Sequence, residues 1–537
     1  MPHEAPSLYH ISRGNKRSIF LKFFKVRLSF APYNTAIERK GVLQMKNRII
    51  AILMALAMLI LIPAGVLAET TETTTSSEMP GEPPEGGMPG EPPEGMGEPP
   101  EGMGEPPEGG MPGEPPEGGM GGPGGFGGGT PPGGGSADIE YTAAAEITEA
   151  AEASGETYES TTSDESALIV NTDADVSLTD ITVSKTGSSN GGDSCNFYGL
   201  NAAVLAMGGG TVTITGATVT SDADGANGVF SYGGNGGQNG AAGDGTTVYI
   251  SDSTITTTGD GSGGIMTTGG GVTYASNLTI ETSGRSSAAI RTDRGGGTVV
   301  VDGGSYTTNG LGSPAIYSTA DITVSNATLT SNLSEGVCIE GMNSITLTDC
   351  DMTANNTQMN SNATFLDTIM IYQSMSGDAD SGESHFTMTG GSLTSQSGHM
   401  FHVTNTHAVI TLTGVELVNT GSDILLSVCD DGWNGASNIA ELNAVGQTLT
   451  GTILVGDNST LTLNLTEGST FEGAISGEIE NARGETVSTE VGTVSVTLDD
   501  TSTWTLTADT CITEFNGNLD NVNANGYALI VNGEQVK

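Results

Sequence analysis

The stretch TVTITGATVTS, residues 211–221, alternates like a half-buried β-strand and then skips one residue. Within each half the apolar residues lie two apart, but three positions separate Ile214 from Ala217. In a straight strand, that extra residue would turn the second half to the opposite face. Gly216 lies at the skip, and glycine readily adopts the left-handed backbone conformation of a corner. The stretch therefore predicts two short strands that meet at a corner and share one inner side.

The same pattern occurs in eight further copies, the first starting at Val176 and the last at Ile410. Each copy has mostly apolar or small residues at positions 0, 2, 5 and 7, and Gly, Asn or Asp at position 4. These three residue types tolerate the left-handed conformation best. The predicted corner residues are Asp180, Gly216, Asp252, Asn277, Gly303, Asn326, Asp349, Gly390 and Gly414.

A second motif, a small residue or Met followed by an aliphatic residue or Phe, precedes most copies and predicts a third short strand per repeat. It occurs at Ala203-Val204, Gly228-Val229, Gly264-Ile265, Ala289-Ile290, Ala315-Ile316, Gly336-Val337 and Met400-Phe401. Such self-similarity predicts a solenoid, because each coil buries its inward residues only by stacking on its neighbours. The last stretch, YALIVNGEQV, contains Asn-Gly and predicts a closing strand at the end of the stack.

The repeats resemble a right-handed parallel β-helix, the architecture of pectate lyases, phage tailspikes and bacterial adhesin passengers. The resemblance covers about residues 140–537 and implies an all-β solenoid of roughly a dozen coils. Many unrelated functions share this fold, so it specifies function poorly. The catalytic motifs of the hydrolases do not match, because Asn171-Thr172-Asp173 lies far from Asp430-Asp431 and no Arg-x-Lys occurs.

The residues before the repeats divide into three segments. Residues 45–68 combine two basic residues, a long apolar run and small residues at the end, which predicts a cleaved secretory signal peptide; the alternative is a retained membrane anchor. Because 44 residues precede this signal, we interpret Met45 as the true start and residues 1–44 as a start-site misannotation. Residues 69–137 are rich in Pro, Gly and Glu and predict a disordered stalk, followed by the β-helix domain at 138–537.

Charge is the strongest constraint on partners. From Glu69 onward, six basic residues face 61 acidic ones. Such a surface repels nucleic acid and anionic membranes and attracts cations. Together with the signal segment, this predicts a secreted or cell-surface protein that contacts a membrane only through an uncleaved signal. We expect a monomer whose partner is an extracellular glycan or a surface protein.

Two groups of side chains are candidate binding sites. Trp433 lies in CDDGWNG beside Asp430 and Asp431, and an exposed Trp next to carboxylates commonly binds a sugar ring. The alternative is a Trp that packs on a loop. Asp222 and Asp224 are spaced as candidate Ca²⁺ ligands, although no EF-hand loop surrounds them, and solvated loop acids are the alternative. No other cofactor is expected.

No catalytic site emerges from the remaining residues. Arg291 follows an inward Ile and should point outward, where it would be a solvated side chain that neutralises the acidic surface. The body's histidines are expected to be ordinary surface or packing residues, the five cysteines buried packing residues, and no serine stands in a nucleophile motif. The sequence therefore favours a non-catalytic β-helix protein for adhesion or polysaccharide binding. The alternative is a polysaccharide lyase or glycoside hydrolase on the same fold.

Overall fold

A computed structural model describes residues 139–433 and 437–537. The predicted misannotated start (1–44), signal peptide (45–68) and stalk (69–137) lie outside the described residues. The described chain forms a right-handed parallel β-helix with three strands per coil, which we call the first, second and third faces in chain order. Each strand pairs in parallel with its equivalents one coil away, so that Val212 lies between Val176 and Val248.

The first face is a sheet of thirteen parallel strands, which agrees with the predicted dozen coils. Its strands are Thr142–Ile147, Glu165–Asn171, Val204–Met207, Val229–Tyr232, Ile265–Thr268, Ile290–Thr292, Ile316–Ser318, Val337–Glu340, Asp367–Tyr372, His399–Thr404, Ile424–Val428, Thr452–Val455 and Ile475–Ser476. Six of the seven small-apolar motifs have their second residue at the start of one of these strands, and Met400-Phe401 lies within His399–Thr404, as expected for the third strand of each repeat.

The second and third faces share one sheet of 22 strands, because the long strands Gly271–Thr282 and Gly297–Thr308 continue through their corners and pair on both faces. The second face contains Ala151–Ser154, Val176–Thr179, Thr211–Thr215, Thr247–Ser251, the first halves of Gly271–Thr282 and Gly297–Thr308, Asp321–Ser325, Ser344–Thr348, Glu383–Thr389, His407–Thr413, Asn438–Val445, Ser459–Thr466, Thr493–Leu498 and Glu514–Asn516. The third face contains Thr157–Ser160, Thr182–Lys185, Thr218–Ser221, Thr254–Thr257, the second halves of the two long strands, Thr328–Ser331, Asp351–Ala354, Ser392–Ser395 and Glu416–Asn419.

Smaller elements complete the described chain. A four-stranded parallel sheet contains Thr448–Thr450, Thr470–Glu472, Thr503–Thr505 and Val522–Asn523; Ile479–Glu480 pairs with Thr486–Ser488; and Thr510–Ile512, Leu529–Val531 and Glu534–Gln535 form the last sheet. One α-helix, Asp193–Tyr198, and one 3₁₀-helix, Leu519–Asn521, are present among the described residues. No helix in this part of the chain is both long and apolar enough to cross a membrane.

The corners have the backbone conformation that the residue types require. All nine corner residues have positive φ, between 50° and 77°. Two corners are also linked to the preceding coil by a side chain: the amide of Asn277 donates to Asp252 at 2.7 Å, and that of Asn326 donates to Asp302 at 2.6 Å. The apolar residues that flank each corner line one continuous core; in the opening stretch they are at most 2% exposed.

The outer side of the first face is covered, whereas the other two faces are bare over most of their length. Strands such as Val337–Glu340 and Asp367–Tyr372 are buried at every residue. The α-helix and several long connections, among them 355–366 and 373–382, pack on this outer side. Because both sides of these strands are buried, their sequences lack the polar-apolar alternation of the second-face strands.

The predicted closing strand is present, and it forms an antiparallel hairpin with a second short strand. Leu529–Val531 pairs with Glu534–Gln535 across Asn532 and Gly533, which both have positive φ. The five cysteines are all free, so Cys338 and Cys350 do not form a disulfide. Four of the five are buried packing residues, and Cys511 is exposed.

Candidate functional site

Two tyrosines on the second face form an exposed, stacked pair. Tyr249 lies between the inward Val248 and Ile250, so its side chain points outward, and Tyr274 occupies the same position one coil later. Their rings are stacked with centroids 4.9 Å apart and planes inclined by 13°. The side chains are 45% and 40% exposed, so this pair is a flat aromatic surface open to solvent.

A shallow depression of about 270 Å³ lies at the tyrosine pair. The hydroxyl residues Thr213, Ser251 and Ser276 line it together with the two rings. An apolar surface bordered by a few hydroxyl groups can stack on a sugar ring and hydrogen-bond to its edge. The tyrosines were missed in the sequence, although a signal existed: each follows position 0 of its repeat, in two consecutive copies.

The tyrosine pair belongs to a long row of outward residues in register along the second face. Neighbouring members of the row lie about 4.8 Å apart, the spacing between paired strands. In order along the stack, the row is Ser177, Thr213, Tyr249, Tyr274, Val300, Thr323, Thr346, Thr387 and Thr411. Most members carry a hydroxyl, so the row is a regular array of hydrogen-bonding groups that the aromatic pair interrupts.

The three residues of the sequence-predicted sugar site differ in exposure and do not form an open aromatic surface. Trp433 is only 7% exposed and packs against Tyr372, with ring centroids 5.1 Å apart. Asp431 is also buried, whereas Asp430 is exposed and accepts a hydrogen bond from Asn438 at 2.7 Å. The hypothesis required an exposed tryptophan ring, and Trp433 does not provide one. The structure instead has the alternative, a Trp that packs on the fold.

Asp431 belongs to a buried polar cluster on the outer side of the first face. The backbone N–H and the hydroxyl of Thr364 donate to its Oδ1 at 2.5 and 2.6 Å, and His402 Nε2 lies 3.4 Å from its Oδ2. His402 Nδ1 lies 2.7 Å from the hydroxyl oxygen of Ser427, which also contacts His399 Nδ1 at 2.8 Å. Burial lowers the pKa of His399 to about 3, so its imidazole is neutral at neutral pH.

The cluster contains a serine, a histidine and an aspartate, the groups of a hydrolytic triad, but its burial prevents that chemistry. Ser427, His402 and Asp431 are each at most 1% exposed. A nucleophile must reach the substrate carbonyl, so a fully enclosed serine cannot act. The cluster instead connects 355–366 to the first face. The expectation that the histidines are ordinary packing residues missed the acid partner of His402, which lies 29 positions away in the sequence.

Arg291 is not solvated, contrary to the expectation from its outward direction. It is 1% exposed, forms an ion pair with Asp293 at 2.5 Å and lies 5.4 Å from the ring centroid of Tyr317. Burial raises the pKa of Asp293 to about 7, although Arg291 lies beside it. The physical reason for the error is the covering of the first face, which turns an outward side chain into a buried one.

The connections that cover the first face also enclose the carboxyl group of Glu340, which accepts several hydrogen bonds. Glu340 is 2% exposed and accepts hydrogen bonds from the hydroxyls of Tyr317 at 2.6 Å, Tyr372 at 3.0 Å and Ser376 at 3.0 Å. Burial raises the pKa of Glu340. Close by, Arg294 pairs with Asp378 at 2.5 Å and so anchors connection 373–382.

The candidate calcium ligands Asp222 and Asp224 are both exposed. Each accepts a hydrogen bond from the next coil: Thr258 donates its hydroxyl to Asp222 at 2.6 Å, and the backbone N–H of Asp260 donates to Asp224 at 2.9 Å. Within residues 139–433 and 437–537, no group of three or more His, Cys, Asp or Glu side chains is placed to hold a metal ion. The two carboxylates therefore serve as links between coils in this structure.

Comparison with known proteins identifies no family for this chain. No family model matches the chain, and no curated protein matches it. The parallel β-helix is the level at which the resemblance holds, and the link to adhesins or pectate lyases has no support from related sequences.

Proposed function

We propose that this chain is a secreted or cell-surface β-helix protein that binds polysaccharide through the tyrosine pair Tyr249 and Tyr274. The observation that carries the proposal is the exposure of two stacked aromatic rings on a regular polar face. Leaving large rings in water forgoes the stabilisation that their burial would give. An aromatic surface of this kind, bordered by hydroxyl groups, suits a sugar ring.

The rest of the second face supports repeated binding to a long ligand. The threonine-rich row extends the hydrogen-bonding surface along the stack axis in steps of about 4.8 Å. Single contacts of this kind are weak, and a polymer that engages several at once gains avidity without a deep cleft. Adhesion to a glycan-coated surface is therefore the biological role that the geometry favours.

The test compares glycan binding by the full chain and its tyrosine variants. We expect the full chain to bind at least one polysaccharide on a glycan array and in affinity electrophoresis. The double variant Tyr249→Ala/Tyr274→Ala should bind about tenfold more weakly, a loss of roughly 1.4 kcal/mol, because it removes the aromatic surface on which the sugar ring stacks. Tyr527→Ala is the matched control, since Tyr527 is 42% exposed on another part of the surface.

Two outcomes would contradict the proposal. Equal glycan binding by the wild type and the double variant would remove the tyrosine pair from the site. Release of reducing ends or unsaturated products from any polysaccharide would instead support the lyase or hydrolase alternative, and the Tyr249→Ala/Tyr274→Ala variant would then report whether the pair positions the substrate.

A further inference from the structure

A second concave site lies on the same coils as the tyrosine pair. It is a cavity of about 420 Å³ at the corner between the first and second faces. Its walls come from residues at or just before the starts of four second-face strands and from two long connections, 233–246 and 373–382. Gly270 and Gly297 belong to the walls, so that backbone forms part of the cavity surface.

The two connections are joined at the cavity by side chains. Asn239 accepts a hydrogen bond from the backbone N–H of Gly295 at 3.1 Å, and its amide lies 3.4 Å from Asp380 Oδ1. The backbone N–H of Met342 donates to the carbonyl of Asp380 at 2.8 Å. The cavity is therefore assembled from segments that are about 140 residues apart in the chain and that the fold brings together.

Polar side chains belong to the walls of the cavity. Asn239, Asp321, Asn343 and Asp380 line it together with the glycine-rich backbone. These groups, which are independent of the tyrosines, suit a polar ligand.

The tyrosine pair and the cavity lie close enough for one ligand to reach both. Gly270 lines the cavity and directly precedes the strand Gly271–Thr282, in which Tyr274 lies four residues later, so that at most about 13 Å of chain separates them. In the next coil, Thr298 lines the cavity two residues before Val300, the neighbour of Tyr274 in the outward row. A ligand that spans both is an oligosaccharide, because the separation exceeds one sugar ring.

Charge selects among oligosaccharides. Asp321 and Asp380 line the cavity and are exposed, and none of the residues that line the cavity or the tyrosine depression is Lys or Arg. Carboxylates without a cationic neighbour attract an ammonium group and repel a carboxylate. The acidic body of the chain reinforces this preference at longer range.

We propose that the cavity and the tyrosine pair are two subsites of one track, and that its ligand is an amine-bearing glycan. The tyrosine pair stacks on one sugar unit, and the cavity receives the protonated amine of another at Asp321 and Asp380. Glycans of uronic acids are excluded by the same carboxylates. This inference rests on the proposed function, because it assigns the ligand class of the tyrosine site.

The experiment uses the full chain with three probes: a glucosamine oligosaccharide, its N-acetylated counterpart and an oligogalacturonate. Isothermal titration should rank the glucosamine oligomer first and show no binding of the oligogalacturonate. Asp321→Asn/Asp380→Asn should weaken binding of the glucosamine oligomer about fivefold, and that loss should shrink at high salt. Binding of the N-acetylated oligomer should not change in this variant.

Matched variants separate the inference from the proposed function. Asp173→Asn/Asp175→Asn changes the net charge equally at two exposed positions elsewhere and should leave binding unchanged. Ala241→Trp, on connection 233–246, should fill the cavity and weaken binding of the glucosamine oligomer while thermal stability is retained.

The outcomes are distinguishable. Tyrosine-dependent binding that neither Asp321→Asn/Asp380→Asn nor Ala241→Trp weakens would overturn the two-subsite track and leave the proposed function standing. Equal loss in the two double Asn variants would also overturn it, since general charge would then explain the preference. Absence of any tyrosine-dependent binding would remove the proposed function itself.

Discussion

The first and second faces of the coil line the same core, yet their outer sides differ. On the first face the outward residues Cys338, Met370 and His402 are fully buried. On the second face the equivalent row carries Thr346 and Thr387, which remain partly exposed. The strands themselves are alike in length and pairing. The difference arises from the connections, which are long where they fold back over the first face.

This comparison indicates which face contributes most to the stability of the fold and which face is free to bind a ligand. The covered face contains buried ionisable groups, and each requires a partner because an unpaired buried charge is costly. The bare face contains hydroxyl groups that water satisfies equally well. Substitutions on the covered face should therefore unfold the protein, whereas those on the bare face should change binding alone.

The largest expected effect is the loss of the buried ion pair on the covered face. Arg291→Ala leaves Asp293 unpaired and should lower the free energy of unfolding by about 3–5 kcal/mol, measured by urea denaturation. The double variant Arg291→Met/Asp293→Leu removes both charges and should be less destabilised than Arg291→Ala. The comparison of the faces would fail if Arg291→Ala cost no more than Thr323→Ala on the bare face.

The next largest effect on stability is expected from a comparison of an inward and an outward side chain of the same strand, Ser344–Thr348. Leu347→Ala removes a fully buried core side chain and should cost about 2–4 kcal/mol. Its neighbour Thr346 points outward, and Thr346→Ala should change stability by less than about 0.5 kcal/mol. Both values come from the same denaturation assay. Similar costs for the two variants would mean that the bare face is not neutral for stability.

A pH effect should also be confined to the covered face. The pKa of Asp293 is raised from 3.8 to about 7 in the folded chain, so the folded state holds a proton that the unfolded state has lost. The stabilisation from this proton is complete below pH 4 and is lost as pH rises to 7. In Asp293→Asn this loss should shrink by more than about 1 kcal/mol, measured as the difference in unfolding free energy between pH 4 and 7.

His399 has the opposite effect on the pH dependence of stability over the same pH range. Its pKa falls from 6.5 to about 3, so the unfolded state binds the extra proton and stability is lost as pH falls below 6.5. Because His399 is unchanged in Asp293→Asn, the difference between the two proteins isolates the carboxyl. An identical pH dependence in both proteins would show that Asp293 does not titrate in this range.

The smallest effect concerns the corners, which both faces depend on. Asn326 has φ of 56° and is exposed. Asn326→Ala should cost about 1 kcal/mol more than Asn326→Gly, because both lose the hydrogen bond to Asp302 but only alanine has a side chain that disfavours this conformation. Thermal denaturation of the pair measures the difference. Equal melting temperatures would contradict a left-handed corner.

The sequence predicted the parts of the structure that repeat. The skip at Gly216 and its eight equivalents follow from local chirality, and the outward direction of Tyr274 follows from strand alternation, although its importance was overlooked. The covering of the first face could not be predicted, because it depends on contacts between distant segments without a period. Trp433 packs on Tyr372, and Asp431 pairs with His402, through such contacts.

The register of the stack has a consequence for how such a chain can change over time. Thr298, Asp321 and Ser344 hold equivalent places in three successive coils, and their partners follow residue by residue. A gene that gains or loses one such repeat would join matching ends, and the neighbouring coils would meet in the same alignment. The length of the solenoid can thus change during evolution by one coil at a time, or about 4.8 Å. Each remaining coil keeps its own surface residues.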